Sequence, residues 1–247
     1  MSKRFPSEFE ALLSPAGRRL LVGAGPAAGA LSRQPFFSAV GLLDARQLPA
    51  CTALLARTFA DVITEQAQRL PAANSAIFAH LDQLPKVGRQ LTTPLFDHSS
   101  PEETRALPAF VRAEECGLAQ MLRSPSYHAF CQALAGRPLE GPAANQVLCY
   151  RPGDYVGPHT DHHPDEPRLK HGYVDVHLTF CTAGVLAQDL YYERDGHLAE
   201  QRSVAASGTV TAYRLPVWHH VTPLRTKRKT DRRWLVLGSF LFADSQS

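Results

Sequence analysis

The chain has 247 residues, 44% of them hydrophobic, and its 26 Lys+Arg against 23 Asp+Glu leave a formal net charge of +3. So large an apolar share with so small a net charge excludes intrinsic disorder, and the 16 Gly and 19 Pro show no collagen-like period. The length suits one domain, or at most two small ones, and a charge of +3 argues for a nucleic-acid or membrane partner only where it is concentrated in one place.

The first residues include two acids and no apolar core of a signal peptide, so a secretory leader is not expected. Arg18 to Gly29 reads like a strand entering a glycine-rich dinucleotide loop, but no room remains for a crossover helix before the next strand at Phe36. It is better read as a Gly/Ala connector. Phe36 to Leu43 is an apolar run with the character of a strand. Leu48 to Leu70 places Leu54, Leu55, Phe59, Val62 and Ile63 near a 3.6-residue period, which predicts a helix. Leu84 to Pro108 is polar, contains Pro and Gly, and predicts a long loop that could close over a site. Ser124-Pro125 opens a helix whose apolar face is Tyr127, Phe130, Cys131 and Leu134, with Gly136 as its C-cap.

After Gly141 the pattern changes to short strands between turn residues: Asn145 to Arg151, Val174 to Thr182, Asp189 to Glu193, Gly208 to Tyr213, Val217 to Leu224 and Arg233 to Phe242. Asp195-Gly196 marks a hairpin turn. The expected class is α+β: residues 1–140 a helix-rich support, and residues 141–247 a jelly-roll or barrel core, the two integrated in one domain. In the strand from Val174 to Thr182, alternation predicts Val176, Leu178 and Phe180 as the apolar interior wall, with His177 turned away. The five cysteines (Cys51, Cys116, Cys131, Cys149 and Cys181) form no Cys-x-x-Cys pair, which predicts reduced thiols in a cytoplasmic protein. The longest apolar stretch, Trp234 to Ala243, has about half the length of a membrane helix.

Five of the 11 His lie between His159 and His177. In His159-Thr160-Asp161, residues i and i+2 of an extended segment project to one side, so His159 and Asp161 can address a single metal ion. His219 from a distant strand would complete a 2-His-1-carboxylate triad, which suits non-haem Fe(II) and leaves positions for a cosubstrate and O₂. His162, His163 and His171 read as loop histidines. Residues 225–233 hold six positive charges and one negative, a basic run best read as a solvated hairpin that could also meet an anionic partner.

The stretch Tyr150-Arg151-Pro152-Gly153-Asp154 ahead of His159-Thr160-Asp161 resembles the Fe(II)- and 2-oxoglutarate-dependent oxygenases, especially their prolyl-hydroxylase-type branch. The resemblance continues through Gly208 to Tyr213, through Trp218-His219-His220-Val221-Thr222-Pro223-Leu224, and through Arg233-Trp234-Leu235-Val236. It implies a double-stranded β-helix (jelly-roll, cupin-like) core, with His159, Asp161 and His219 as catalytic iron ligands. It further implies Arg233 on the far carboxylate of 2-oxoglutarate and Tyr150 beside that cosubstrate, with O₂ as co-reactant. The implied activity is a dioxygenase that hydroxylates a C–H bond of a small molecule, such as an amino acid or biosynthetic intermediate. A protein side-chain hydroxylase and a metal-free jelly-roll binding module are the alternatives; a nucleic-acid partner rests on the basic run alone. Two features depart from the family pattern. The interval from His219 to Arg233 is 14 residues, lengthened by residues 225–231, and each of these residues has a neighbour of its own kind, His220 and Arg232. The Val-Thr-Pro register favours His219, and strand alternation with Leu235 and Leu237 favours Arg233.

Overall fold

The computed structural model of the chain describes residues 4–69, 87–97, 100–159, 172–194 and 197–243. Its first half runs through a 3-10 turn (Phe9–Leu12), α1 (Pro15–Leu21), α2 (Ala30–Arg33), β1 (Phe36–Ala39), α3 (Leu48–Phe59), β2 (Thr64–Arg69) and β3 (Val87–Asp97). Four helices follow: α4 (Pro101–Arg105), α5 (Pro108–Glu115), α6 (Leu118–Leu122) and α7 (Pro125–Ala135). The second half gives β4 (Leu139–Tyr150), β5 (Val156–His159), β6 (Tyr173–Cys181), β7 (Val185–Ala187), β8 (Asp189–Arg194) and β9 (His197–Ser203). It ends with β10 (Val210–Leu215), β11 (His219–Val221), β12 (Arg225–Thr226) and β13 (Arg233–Phe242).

The helix ends follow local chemistry. Proline stands in the first turn of α1, α3, α4, α5 and α7, where its missing N–H costs nothing. The Ser14 and Ser124 side chains accept from the backbone N–H of Gly17 and Tyr127. Gly136 closes α7 at φ 72°, and a Cβ there would come within 2.7 Å of Gly29 Cα. The Gly/Ala connector is therefore docked on the end of α7, and Gly29 N–H donates to Ala133 O at 2.8 Å. Arg18 to Leu21, which would have been the strand of a dinucleotide loop, is helical.

All strand pairs are antiparallel. A seven-stranded sheet runs β1-β10-β6-β13-β4-β3-β2, a four-stranded sheet β5-β11-β8-β9, and β12 pairs with β7. Two cores divide this architecture. One face of the large sheet packs Val147, Cys149, Val176, Leu178, Phe180, Trp234 and Val236 against the helices, where Phe9 meets Tyr127 and Phe130 edge-on at 5.0 Å. The opposite face carries Leu148, Tyr150, Tyr213, Leu235 and Leu237, which close on Val156, Leu190, Tyr192 and Val221 of the small sheet.

This division corrects the expected apolar wall. Val176, Leu178 and Phe180 face the helices, and the alternate residues of β6 (Tyr173, Asp175, His177, Thr179 and Cys181) face the interior between the sheets. The physical reason is that the sheet is buried on both faces. The more apolar face goes to the helices, and the interior receives the polar alternation. Two element boundaries also differ. The helix from Leu48 stops at Phe59, and Thr64 onward pairs as β2 with β3. Most of the expected loop from Leu84 to Pro108 is β3 and α4. Pro94 is tolerated in β3 because the register shifts between Pro94 and Phe96, a bulge that removes the need for its N–H. No helix among the described residues is long and apolar enough to cross a membrane.

Phe180 is fully buried against the helix layer. Phe180→Ala should lower the unfolding free energy by about 3–5 kcal/mol in a urea titration. A loss below about 1 kcal/mol would contradict its place in this core.

Candidate active site

The site begins at a corner. After β4 the chain turns through Arg151 to Asp154, with Gly153 at φ 81°. Asp154 is fully buried, and its Oδ2 accepts from the Arg151 backbone N–H at 2.8 Å and from Arg151 Nε at 3.0 Å. The bond to Asp154 holds the Arg151 guanidinium above its ordinary range, and Arg151 Nη2 also pairs with Glu65 at 2.9 Å. Gly153 N–H donates to Leu224 O, and Leu224 N–H donates to Asp154 O, both at 2.9 Å. The Tyr-Arg-Pro-Gly-Asp motif is thus a corner that ties the start of β5 to the segment after β11.

Those ties bring two histidines together. His159, the last residue of β5, is the register partner of His219, the first residue of β11. Their ring centroids are 4.3 Å apart, and both side chains are buried. Nδ1 of His159 lies 2.7 Å from Gly157 O, and Nδ1 of His219 lies 3.1 Å from Val217 O. A carbonyl oxygen only accepts, so each Nδ1 carries a proton and donates. In the neutral ring this leaves the lone pair on Nε2, the arrangement a metal-ligating histidine needs. Asp161 lies outside the described residues, as do His162, His163 and His171. Among the described residues no three His, Cys, Asp or Glu side chains cluster as a metal site.

The paired alternatives separate by strand face. His220 points away from His159 and stacks on Tyr191 at 4.8 Å and 3°. His219 stacks on Tyr213 at 5.0 Å and 21°, and Tyr213 meets His177 edge-on at 5.0 Å. His177 therefore belongs to the interior face beside the histidine pair, contrary to the expectation that it turns away. Phe36 of β1 completes this aromatic floor against Tyr192 and Tyr213.

Arg232 and Arg233 separate in the same way. Arg232 is half-buried and bonds the carbonyls of Lys229 and Asp231. Arg233 is 2% exposed and shares the interior face with Leu235 and Leu237. Its register partners are Tyr150 on β4 and Cys181 on β6, and its Cζ lies 5.3 Å from the Tyr150 ring centroid. Nη1 donates to Gln188 Oε1 at 2.8 Å and Nη2 to Thr179 Oγ1 at 3.4 Å, while Nε is buried with no hydrogen-bond partner among the described residues. No carboxylate among them pairs with Arg233. Burial draws its guanidinium below the ordinary arginine range, yet an arginine stays charged at neutral pH. A buried cation held only by neutral groups is costly, and an anion at Nε would relieve that cost.

The lengthened interval between His219 and Arg233 is absorbed outside the site. Arg225–Thr226 pairs with β7, and the following turn is held by Asp231, whose carboxylate accepts from Thr182 Oγ1 and the Arg228 N–H, each at 2.9 Å. Lys227, Arg228 and Lys229 remain exposed. Histidine and arginine motifs mark the ends of this site, but Thr179 and Gln188 carry no motif, and Tyr213 enters the sequence reading only as the end of the Gly208 to Tyr213 match, without a role. The two-faced burial of β6 and β10 was the signal that could have pointed to Thr179 and Tyr213.

Burial pushes the Cys51 and Cys181 thiols up to about 11 and that of Cys149 up to about 12, and those of Cys116 and Cys131 are raised as well. The thiolate is the reactive form, so cysteine-nucleophile chemistry does not suit this interior. At pH 8 the native protein should react with a disulfide reagent far more slowly than the urea-unfolded chain, which should titrate all five thiols. Fast labelling of any native thiol at that pH would contradict this.

No protein-family model and no curated protein sequence matches the chain. Its fold does match solved structures. An oxidoreductase of the 2OG-Fe(II) oxygenase family from Burkholderia pseudomallei aligns at TM-score 0.57 and 16% identity, over 90% of this chain and 93% of that one. A prolyl-4-hydroxylase from Pseudomonas putida aligns at TM-score 0.52 and 17% identity, over 91% and 100%. The non-heme alpha ketoglutarate dependent epimerase SnoN from nogalamycin biosynthesis aligns at TM-score 0.55 and 14% identity, over 92% and 84%. With its antiparallel sheets, its helix layer and the interior between the sheets, the chain has the fold of the 2OG-Fe(II) oxygenases.

Proposed function

We propose that the chain is a non-haem Fe(II)- and 2-oxoglutarate-dependent dioxygenase, and that its two antiparallel sheets form a double-stranded β-helix. The observation that carries this reading is the buried Arg233, paired with no carboxylate among the described residues, on the same interior face as the residues that meet the His159–His219 pair. His159 and His219 would hold the iron through Nε2, with Asp161 as the third ligand. Arg233 would take the far carboxylate of 2-oxoglutarate, beside Tyr150. A metal-free binding module could place an anion on Arg233, but it gives no account of two buried imidazoles paired at 4.3 Å, each with Nδ1 on a backbone carbonyl.

When bound, Fe(II) would activate O₂ and 2-oxoglutarate would supply two electrons for that activation, so that O₂ furnishes the oxidising power directed at a C–H bond. The chain's own residues do the positioning. The Gly157 and Val217 carbonyls fix the tautomer and tilt of the two imidazoles. A guanidinium fork fits a carboxylate bidentately, and its strength is greatest where water is excluded, as at Arg233. Tyr213 backs His219 over one ring face and keeps solvent from that side. His177 and Tyr213 would line the space that the target carbon enters. A small molecule, such as an amino acid or a biosynthetic intermediate, is the proposed substrate, and prolyl-type hydroxylation of a protein is the second reading. The five free cysteines suit a reducing, cytoplasmic setting.

Anaerobic addition of Fe(II) and 2-oxoglutarate should produce a visible metal-to-ligand charge-transfer band. His159→Ala and His219→Ala should abolish it, and His220→Phe, which keeps a ring on Tyr191, should retain it. A wild type without the band would sink the oxygenase reading. Arg233→Ala should raise the 2-oxoglutarate requirement by about 10- to 100-fold, as loss of a buried charged pair does, and Arg232→Ala by less than about threefold. A succinate-release screen over amino acids, small acids and peptides then decides the substrate class.

A further inference from the structure

Gln188 lies between β7 and β8 and is 1% exposed. Its Nε2 faces two backbone carbonyls, Thr222 O at 2.9 Å and Asp154 O at 3.3 Å. Both can only accept, so the nitrogen of the amide must point toward them and Oε1 must point the other way. There Oε1 receives Arg233 Nη1 at 2.8 Å. One amide therefore joins the corner after β4, the segment after β11 and the start of β13. Its orientation is dictated chemically: a flipped amide would set NH₂ against a guanidinium and a carbonyl against two carbonyls.

A guanidinium has two edges that can grip a carboxylate with two parallel N–H donors, the Nη1/Nη2 end and the Nε/Nη2 side. In Arg233 the end is engaged through Nη1. On the side, Nη2 holds only a long bond to Thr179, and Nε is a buried donor with no partner among the described residues. A buried unmade donor is expensive, and a ligand that reaches Nε removes that cost.

We propose that Gln188 is a positioning residue that engages the Nη1 end of Arg233, so that the Nε/Nη2 side receives the far carboxylate of 2-oxoglutarate. This rests on the oxygenase reading given above. Gln188 touches neither substrate nor metal; it acts through Arg233 by presenting one edge of the fork. It would thereby set the preference for a 2-oxo acid with a second carboxylate over one without.

The test is calorimetric binding to the anaerobic Fe(II) protein, with 2-oxoglutarate and pyruvate as ligands. Pyruvate carries the same 2-oxo acid group and lacks the far carboxylate. Wild type should bind 2-oxoglutarate more tightly. In Gln188→Leu, which removes the acceptor, the Kd for 2-oxoglutarate should rise about tenfold, and that for pyruvate should stay within about twofold. In Gln188→Glu, whose carboxylate competes for the guanidinium, the loss for 2-oxoglutarate should be larger, again with pyruvate unchanged. The Glu variant supplies the same comparison of the two ligands should the Leu variant not fold. If folded variants keep the wild-type preference, or weaken both ligands equally, the role of Gln188 is overturned while the oxygenase reading stands. A wild type that binds neither ligand overturns the oxygenase reading itself.

Discussion

In β6 and β13 consecutive side chains enter two environments that cannot be exchanged. One is a dry layer between sheet and helices, the other a polar interior between two sheets. A one-residue slip of either strand would drive His177, Thr179 and Arg233 into the helix layer and bring Phe180 and Trp234 among the histidines. The register of the large sheet is for this reason also the register of the site. The helix layer contributes nothing to chemistry directly, yet its demand for Val176, Leu178, Phe180, Trp234 and Val236 on one face holds the polar set on the other.

Within that interior, charge and proton positions are set by backbone carbonyls and neutral side chains. The imidazoles of His159 and His219 are oriented by carbonyls two residues earlier in their own chain segments. Arg233 is oriented by an amide and a hydroxyl. None of these partners changes charge with pH. Among the described residues, the ion pairs of Arg151 with Asp154 and with Glu65 lie at the corner, and the first ties backbone segments.

Much of this was legible in the residues. His159, His219 and Arg233 were each singled out by their neighbours in the sequence, Asp161 of the His-x-Asp motif lies outside the described residues, and β13 begins and ends at the residues its apolar run predicts. α7 is bounded by the Ser124-Pro125 and Gly136 signals. The departures have separate causes. Alternation in β6 alone predicts the apolar residues on the interior wall. In a sheet covered on both faces the period of two survives, but which set faces which neighbour depends on tertiary packing. Pro94 and the mixed polarity of residues 87–97 concealed β3, because a bulge makes proline acceptable where sequence patterning reads a loop. Gln188 was invisible for a different reason: its three partners come from segments far apart in the chain.

The turn that precedes β13 has a consequence for how such a chain can vary. Asp231 is buried and directs its carboxylate inward, and a side chain at Gly184 would collide with it. Together with Thr182 and the Arg228 N–H, this clasp fixes the chain immediately before Arg233. A change of length that spares the Arg228–Asp231 turn leaves the arginine in place, because the clasp still holds the start of the strand. The longer interval after His219 is thereby accommodated on the surface, and a tag or probe would leave the interior undisturbed only where it spares the Arg228–Asp231 turn.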